Sequence, residues 1–325
     1  MHKVAVVIPC HNVRNHILGV IHGIGPEVDY IFIIDDRCPQ QTGHYVCTSL
    51  TDPRIIVIHH RINLGVGGAV LTGYQAAIHQ GADIIVKIDG DGQMDPRLIP
   101  LFIAPIVDGH ADYSKGNRFY DLEAVKSMPM VRLLGNAVLS LITKMSSGYW
   151  DIFDPTNGYT AIHANIASHL PYKKISQRYF FESDMLFRLN TLEAVVFDVP
   201  MEAVYGDEIS GLKIGKIIPE FMLANFRNLC KRIFYRYYLR GMTAASIELP
   251  LSLLLLSGGA LFGLCKWHEY ARRAITAPLG TIMLAVLPMI FGVQLLISVL
   301  DGDIASLPRV AKNKFLTRKF DMTKS

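Results

Sequence analysis

Asp89-Gly90-Asp91-Gly92 sets two carboxylates two residues apart, with a single glycine between them, directly after the apolar run Ile84 to Ile88. Hard divalent cations take oxygen ligands, and Mg²⁺ is commonly held by one or two carboxylates with substrate phosphates completing its shell. Gly90 and Gly92 leave room for a bulky diphosphate to approach the backbone. The spacing therefore suits a Mg²⁺ or Mn²⁺ site for a phosphorylated substrate. An acidic turn that only caps a strand has the same local sequence, so the four residues alone leave both readings open.

The elements that must position this pair can be read from the apolar pattern. Val4 to Ile8, Ile31 to Ile34, Ile55 to Ile58 and Ile84 to Ile88 are short β-branched runs, each predicted as a strand buried on both faces. Between them, Ala69, Leu71, Tyr74, Ala77 and Ile78 recur at helical spacing, which predicts β-α-β units and a mostly parallel, Rossmann-like α/β sheet. Open sheets of this kind bind ligands beyond the carboxyl ends of their strands. Polar residues follow three of the four runs there: Pro9-Cys10-His11-Asn12, Asp35-Asp36-Arg37 and Asp89-Gly90-Asp91. The less periodic stretch from Asp108 to about Pro200 is predicted to supply the acceptor-facing half of the same domain.

Composition bounds the partners. The chain of 325 residues is 50% hydrophobic and 18% charged, and its net charge is only +4. Its mean hydropathy of +0.28 is high for a soluble protein. The apolar excess lies near the C-terminus, in the uncharged runs Leu249 to Cys265 and Ala274 to Leu300. At about 1.5 Å per residue, each can cross a hydrocarbon core of about 30 Å. They predict a transmembrane helical hairpin, against the alternative of two buried core helices. Ahead of them, Phe221, Phe226, Leu229, Ile233 and Tyr237 alternate with Arg227, Lys231, Arg232, Arg236 and Arg240, a mixture suited to lipid headgroups. The basic residues cluster beside the apolar runs, which favours a membrane surface over nucleic acid. Basic flanks before the hairpin and in the tail (Arg309, Lys312, Lys314, Arg318, Lys319) place both on the cytoplasmic side. The expected organisation is a catalytic domain over 1–218, interfacial helices over 219–243, two spans over 244–302 and a basic cytoplasmic tail over 303–325. Cys10, Cys38, Cys47, Cys230 and Cys265 show no paired spacing and read as reduced thiols. Met1-His2-Lys3 leads straight into a strand with no signal-peptide pattern, which predicts a cytoplasmic catalytic domain.

Several motifs in fixed order carry a resemblance. Ile8-Pro9-Cys10-His11-Asn12, Ile34-Asp35-Asp36, Asn63-Leu64-Gly65-Val66-Gly67-Gly68-Ala69 and Asp89-Gly90-Asp91-Gly92-Gln93-Met94-Asp95-Pro96 are followed by Gly116-Asn117-Arg118-Phe119, Arg132 with Asn136, and Asp154-Pro155-Thr156-Asn157-Gly158-Tyr159. Over about residues 3 to 215 the chain resembles the family 2 glycosyltransferases of GT-A fold, in particular the dolichyl-phosphate mannose synthases and bacterial polyprenyl-phosphate glycosyltransferases.

The resemblance implies a set of roles. Pro9, His11 and Asp36 would line the base and ribose of a UDP- or GDP-linked sugar. Asp89, Asp91 and Gln93 would hold the metal, and Gly90 would lie against the donor. Arg118 and Arg132 would meet donor or acceptor phosphate, since guanidinium forks match phosphate oxygens. Lys213 would reach the donor from a closing loop, and Asp184 stands where the family has its acceptor-side carboxylate. Relatives commonly carry Tyr and Glu where His11 and Val13 stand here. The reaction implied is inverting transfer of one sugar to a polyprenyl phosphate, undecaprenyl or dolichyl, by a membrane enzyme that self-associates through its spans. Transfer to a lipid-linked oligosaccharide or polysaccharide, and a catalytically silent membrane scaffold, are the alternative readings.

Overall fold

The computed structural model describes residues 2–120, 130–202 and 214–319, with the side chains of 130–134 and 214–217 outside that description. The chain divides into two units, one of residues 1–229 and 308–325 and the other of residues 230–307.

In the first unit the strands are β1 (Val4–Cys10), β2 (Tyr30–Asp35), β3 (Ile55–His59), β4 (Ile84–Lys87), β5 (Tyr113–Asn117), β6 (Thr160–His163) and β7 (Val196–Pro200). They form one sheet in the order β3-β2-β1-β4-β6-β5-β7. Only β6 runs against its neighbours; β1 to β4 are parallel, and β5 pairs in parallel with β7. The helices α1 (Ile17–His22), α2 (Thr42–Ser49), α3 (Gly65–His79), α4 (Ile99–Val107), α5 (Met130–Ser147), α6 (Ala164–Ser168), α7 (Phe181–Thr191) and the start of α8 (Ile214–Phe234) complete it. The four strands and the helix expected before Asp89 are all present. One detail differs: β3 is an edge strand and only half-buried, so its apolar run reflects contact on part of its surface. The core beneath β1, β2 and β4 is built from Val4, Val6, Ile8, Ile31, Ile33, Ile84 and Val86, closed by Ile17, Val20, Ile99 and Phe102.

Because six of seven strands run the same way, one edge of the sheet collects the residues that follow β1, β2, β3, β4 and β5: His11, Asp36, His60, Asp89 and Arg118. The opposite edge is closed by the chain's own C-terminal segment. The buried Asp112 carboxylate accepts backbone N–H groups from Lys312 (2.8 Å), Asn313 (2.7 Å) and Val195 (2.9 Å). Asn165 donates to the Asn313 carbonyl at 2.9 Å, and Arg318 pairs with Asp83 at 3.1 Å. The tail read from sequence as merely basic is in this stretch part of the catalytic unit. Burial lifts the Asp112 carboxyl above its ordinary value, and the three N–H donors pull against that.

In the second unit, α9 (Ala244–Arg272) and α10 (Leu279–Ala305) are apolar, largely exposed, and long enough to cross a bilayer. They approach closely at small residues. A Cβ on Gly259 would lie 2.8 Å from the Ala285 carbonyl, and one on Gly292 would lie 2.8 Å from Leu256. A turn of π-helix, Tyr235–Arg240, precedes α9. At the ends of these elements Arg232 grips Asp303 through two bonds of 2.7 and 2.9 Å, and Tyr237 donates to the same carboxylate at 2.6 Å. Among the described residues no cysteine is in a disulfide.

Replacing Asp112 with Ala orphans three backbone donors and should lower the stability of the catalytic unit by about 2–4 kcal/mol. Thermal unfolding of the full chain in detergent checks this: Asp112→Ala should melt several degrees lower, and Asp112→Asn should fall between it and the parent.

Candidate functional site

Lys87 is the last residue of β4 and lies inside the domain, with its side chain 1% exposed. A buried ammonium must be matched by negative charge. Its Nζ lies 3.0 Å from Asp89 Oδ1 and 3.3 Å from Glu182 Oε1 at the start of α7. Burial alone would lower the Lys87 pKa, but the two carboxylates outweigh it and leave the group firmly protonated. Asp89 is thus fixed from below while 28% of its side chain stays exposed. Its second oxygen faces Gly158: a Cβ there would sit 2.7 Å from Asp89 Oδ2 and 2.5 Å from Lys87 Nζ. Only glycine leaves that space.

Asp91 is partly exposed, and its Oδ1 accepts the Gln93 backbone N–H at 3.0 Å. That bond folds the loop so that Asp89, Asp91 and Gln93 share one turn beyond β4. Gly92 has φ +80° in this turn, a conformation that favours glycine. Gly90 is explained by packing, since a Cβ there would meet Val13, Ile17 and Ile8 at 3.0–3.4 Å. Among the described residues no group of three or more His, Cys, Asp or Glu side chains forms a metal cage. Two half-exposed carboxylates on one turn instead match the donor set of a cation whose remaining ligands are phosphate and water.

Pro9 is buried within β1, in register with Ile34, and His11 lies exposed just beyond it. His11 Nδ1 is 3.3 Å from the Asp36 carbonyl and 3.2 Å from Asn63 Nδ2. The Asp36 carboxylate is 3% exposed and accepts from Leu64 N, Gly65 N and His60, each at 2.8 Å. It therefore builds the Asn63–Gly68 turn, which closes on the segment before α7. Gly65 has φ +83°, a Cβ on it would lie 2.6 Å from the Gln177 carbonyl, and Gly68 N donates to that same carbonyl at 3.2 Å.

Arg118, following β5, forks onto Asp154 through Nε (2.7 Å) and a terminal nitrogen (3.1 Å). Asp154 is wholly buried and the Arg118 side chain is 33% exposed, so the guanidinium is held in one orientation at the surface. Arg132 lies in the first turn of α5 with its side chain outside the described residues, and Lys213 lies outside them altogether.

Of the two acids opening α7, Asp184 is the one the family resemblance points to. The structure buries it to 4% exposure, where it accepts Ser176 N and Asn228 Nδ2, both at 2.9 Å, with Arg188 3.6 Å away. Glu182 instead joins the Lys87–Asp89 cluster. Lys87 and Lys115 are two further functional candidates that the motifs do not mark. The signal for Lys87 is present, as a single charge inside an otherwise apolar buried run. Across β4, β6, β5 and β7, Lys87, Thr160, Lys115 and Asp198 are consecutive partners, so they share one face of the sheet. Lys115 is fully buried and donates to the Asn157 carbonyl. Burial pulls its pKa down to about 8, against the raising influence of Glu182 and Asp154. Asp198 accepts Phe153 N at 2.9 Å, its other oxygen is buried with no hydrogen-bond partner among the described residues, and burial pushes its pKa up to about 6.

A sheet of this order, with its acidic turn beyond β4, is the GT-A architecture of nucleotide-sugar transferases. Mycobacterium tuberculosis glucosyl-3-phosphoglycerate synthase, in a structure with Mn²⁺, UDP and phosphoglyceric acid, superposes with a TM-score of 0.51 at 17% identity, covering 71% of this chain and 78% of that one. The sequence pattern of glycosyl transferase family 2 matches residues 5–170, and the chain belongs to that family. A UDP-N-acetylglucosamine–dolichyl-phosphate N-acetylglucosaminyltransferase from Methanococcus voltae is 29% identical, over 62% of this chain and 85% of that one. An undecaprenyl-phosphate mannosyltransferase from Micrococcus luteus is 28% identical, over 62% and 84%.

Gly158→Ala drives a methyl group into the Lys87–Asp89 pair. It should overpack that cluster and lower the stability of the unit by about 1–3 kcal/mol, as thermal unfolding can read. Asp198 makes a pH prediction. Its raised pKa means the native state binds a proton more tightly than the unfolded chain, so its stabilising contribution is present below about pH 4 and lost as pH rises through about 6. Relative to Asp198→Asn, the parent should lose about 3 kcal/mol across that window, measured by denaturant unfolding of both proteins.

Proposed function

We propose that this chain is a membrane-bound glycosyltransferase that moves one sugar from a UDP- or GDP-linked donor to a polyprenyl phosphate, with inversion at the anomeric carbon. The observation that carries this reading is a conjunction in one chain. Relatives similar over 62% of this chain are named for dolichyl- and undecaprenyl-phosphate acceptors, and two span-length apolar helices stand near its C-terminus here.

Asp89 and Asp91, with the Gln93 side chain, would hold Mg²⁺ or Mn²⁺, whose chemistry is to neutralise charge on the departing nucleoside diphosphate. Lys87 and Glu182 fix Asp89 so that the pair is ordered before the donor arrives. Pro9 and His11 would lie against the base and ribose, and Asp36 would serve them by holding the Asn63–Gly68 turn. Arg118, oriented by Asp154, would bind the acceptor phosphate together with Arg132, and Lys213 would close over the donor.

A phosphate monoester is already anionic at neutral pH, with a second pKa of about 6. It needs little help from a general base, which agrees with Asp184 being engaged by Ser176 and Asn228. Asp184 then acts as a positioning residue, tying α7 to α8. The tail's bonds to Asp112 and Asp83 support a two-pass topology with both ends of the hairpin on one side, and the flanking basic residues assign that side to the cytoplasm.

Asp91 is the cleaner site for mutation, because Asp89→Ala would also leave the buried Lys87 with one partner fewer. Asp91→Ala should keep the melting temperature within a few degrees and cut lipid-phosphate transfer by about 10²–10³-fold. Transfer assays with Mn²⁺ and radiolabelled donor decide this. Undiminished transfer by Asp91→Ala would contradict the assigned role.

A further inference from the structure

Helices α5 and α8 are inverted in polarity. A helix on the surface of a water-soluble domain turns its apolar stripe inward. Among the described residues of α5 the buried side chains are Thr143, Ser146 and Ser147, whereas Val138, Leu141 and Met145, spaced three and four apart, are 55%, 52% and 39% exposed. In the part of α8 that belongs to the first unit, Asn225 and Asn228 are buried while Met222, Leu223 and Phe226 are 46%, 50% and 61% exposed. The two helices join through polar groups: Ser146 Oγ donates to Asn225 Oδ1 at 2.6 Å, and Asn228 is anchored on Asp184. Burying hydroxyls and amides while exposing Leu, Met and Phe costs free energy in water and is favourable against hydrocarbon.

Side chains flanking that apolar face connect α5 to the loop beside Arg118. Ser140 Oγ donates to the Phe153 carbonyl at 3.2 Å, and Lys144 Nζ lies 5.5 Å from the centre of the Phe153 ring. The half-exposed Phe153 in turn lies 6.0 Å from Phe119, the residue after Arg118. A chain of contacts thus runs from α5 through Phe153 and Phe119 to Arg118, whose guanidinium lies 5.9 Å from the Phe119 ring.

We propose that the outer face of α5, through Val138, Leu141 and Met145, is a bilayer-docking surface of the catalytic unit, resting in the acyl–headgroup boundary beside α8. The proposal deepens, and rests on, the reading that this enzyme works on a lipid at a bilayer. The occupant is argued from continuity: α8 shows the same inverted polarity, and its own chain runs on past Leu229 toward two span-length helices. Lys144 on α5 and the exposed Arg227 on α8 supply positive charge suited to anionic headgroups.

The test uses the full chain in nanodiscs of phosphatidylcholine and phosphatidylglycerol, with Trp150 and Trp267 changed to Phe. Leu141→Trp is compared with Thr48→Trp, which reports from the exposed surface of α2, using lipids brominated near the headgroup end of the acyl chain. Residues seated about 5–10 Å into the boundary are within reach of such quenchers, so the Leu141→Trp emission should be quenched at least about twofold more than that of Thr48→Trp. Equal quenching of the two probes overturns the proposal. So does blue-shifted Leu141→Trp emission that ignores brominated lipid and appears only with two copies per disc, since a second copy then covers the face. Met145→Trp repeats the measurement should Leu141→Trp unfold. The readout needs no turnover, so loss of the transferase reading and loss of this surface are separately visible. Leu141→Glu should in addition lower transfer to bilayer-embedded polyprenyl phosphate about tenfold, with nucleotide binding unchanged.

Discussion

A lysine ammonium placed where water cannot reach it governs how the site is built. Lys87 stands at the end of a strand buried on both faces, and its charge is tolerable only because Asp89 and Glu182 lie 3.0 and 3.3 Å away. Removing one partner of a buried ion pair typically costs about 3–5 kcal/mol. The cluster therefore ties three separate parts of the chain together: the end of β4, the start of α7 and the glycine at 158. The same contacts that satisfy Lys87 fix one carboxylate of the acidic turn in place, so folding and preorganisation of the site are a single event.

From that cluster the remaining architecture follows by proximity. Thr160 and Lys115 continue the polar row across the sheet, and Lys115 holds the Asn157 carbonyl in the loop that also carries Asp154. Asp154 orients Arg118. On the other side, Asp36 holds the Asn63–Gly68 turn against the segment leading to α7. Asp184, two residues after Glu182, ties α7 to α8, the helix through which the chain passes toward its apolar hairpin. Buried charged and polar contacts thus run from the acidic turn to the helix that leads into the apolar hairpin.

Much of this architecture is legible in the order of residue types alone. The β-branched runs announce β1, β2 and β4 because strands buried on both faces must be apolar throughout, and the helical spacing around Tyr74 announces α3. The Asp89–Gln93 turn is legible because its carboxylates follow a buried strand in order with the Pro9, Asp36 and Asn63–Gly68 motifs. Harder to see is the division of labour among carboxylates. Asp36 and Asp184 look like ligands in sequence, yet both are buried and committed to backbone and side-chain donors. Glu182, by contrast, gains its place only through a partner 95 residues away. The docking of the tail on Asp112 spans 201 residues and uses backbone N–H groups, which leave no mark in the amino-acid sequence. Inverted helix polarity in α5 is likewise hidden, since periodicity shows that a helix has an apolar face and not which way that face points.

Everything proposed for the site turns on the sugar going to a lipid phosphate. The decisive measurement incubates membranes containing the full chain with radiolabelled UDP- and GDP-sugars, Mn²⁺ and undecaprenyl or dolichyl phosphate. The expected result is label in the organic phase, as a mild-acid-labile product that depends on added polyprenyl phosphate. Label confined to water-soluble or polymeric material, with none extractable into organic solvent for any donor, would contradict lipid-phosphate transfer.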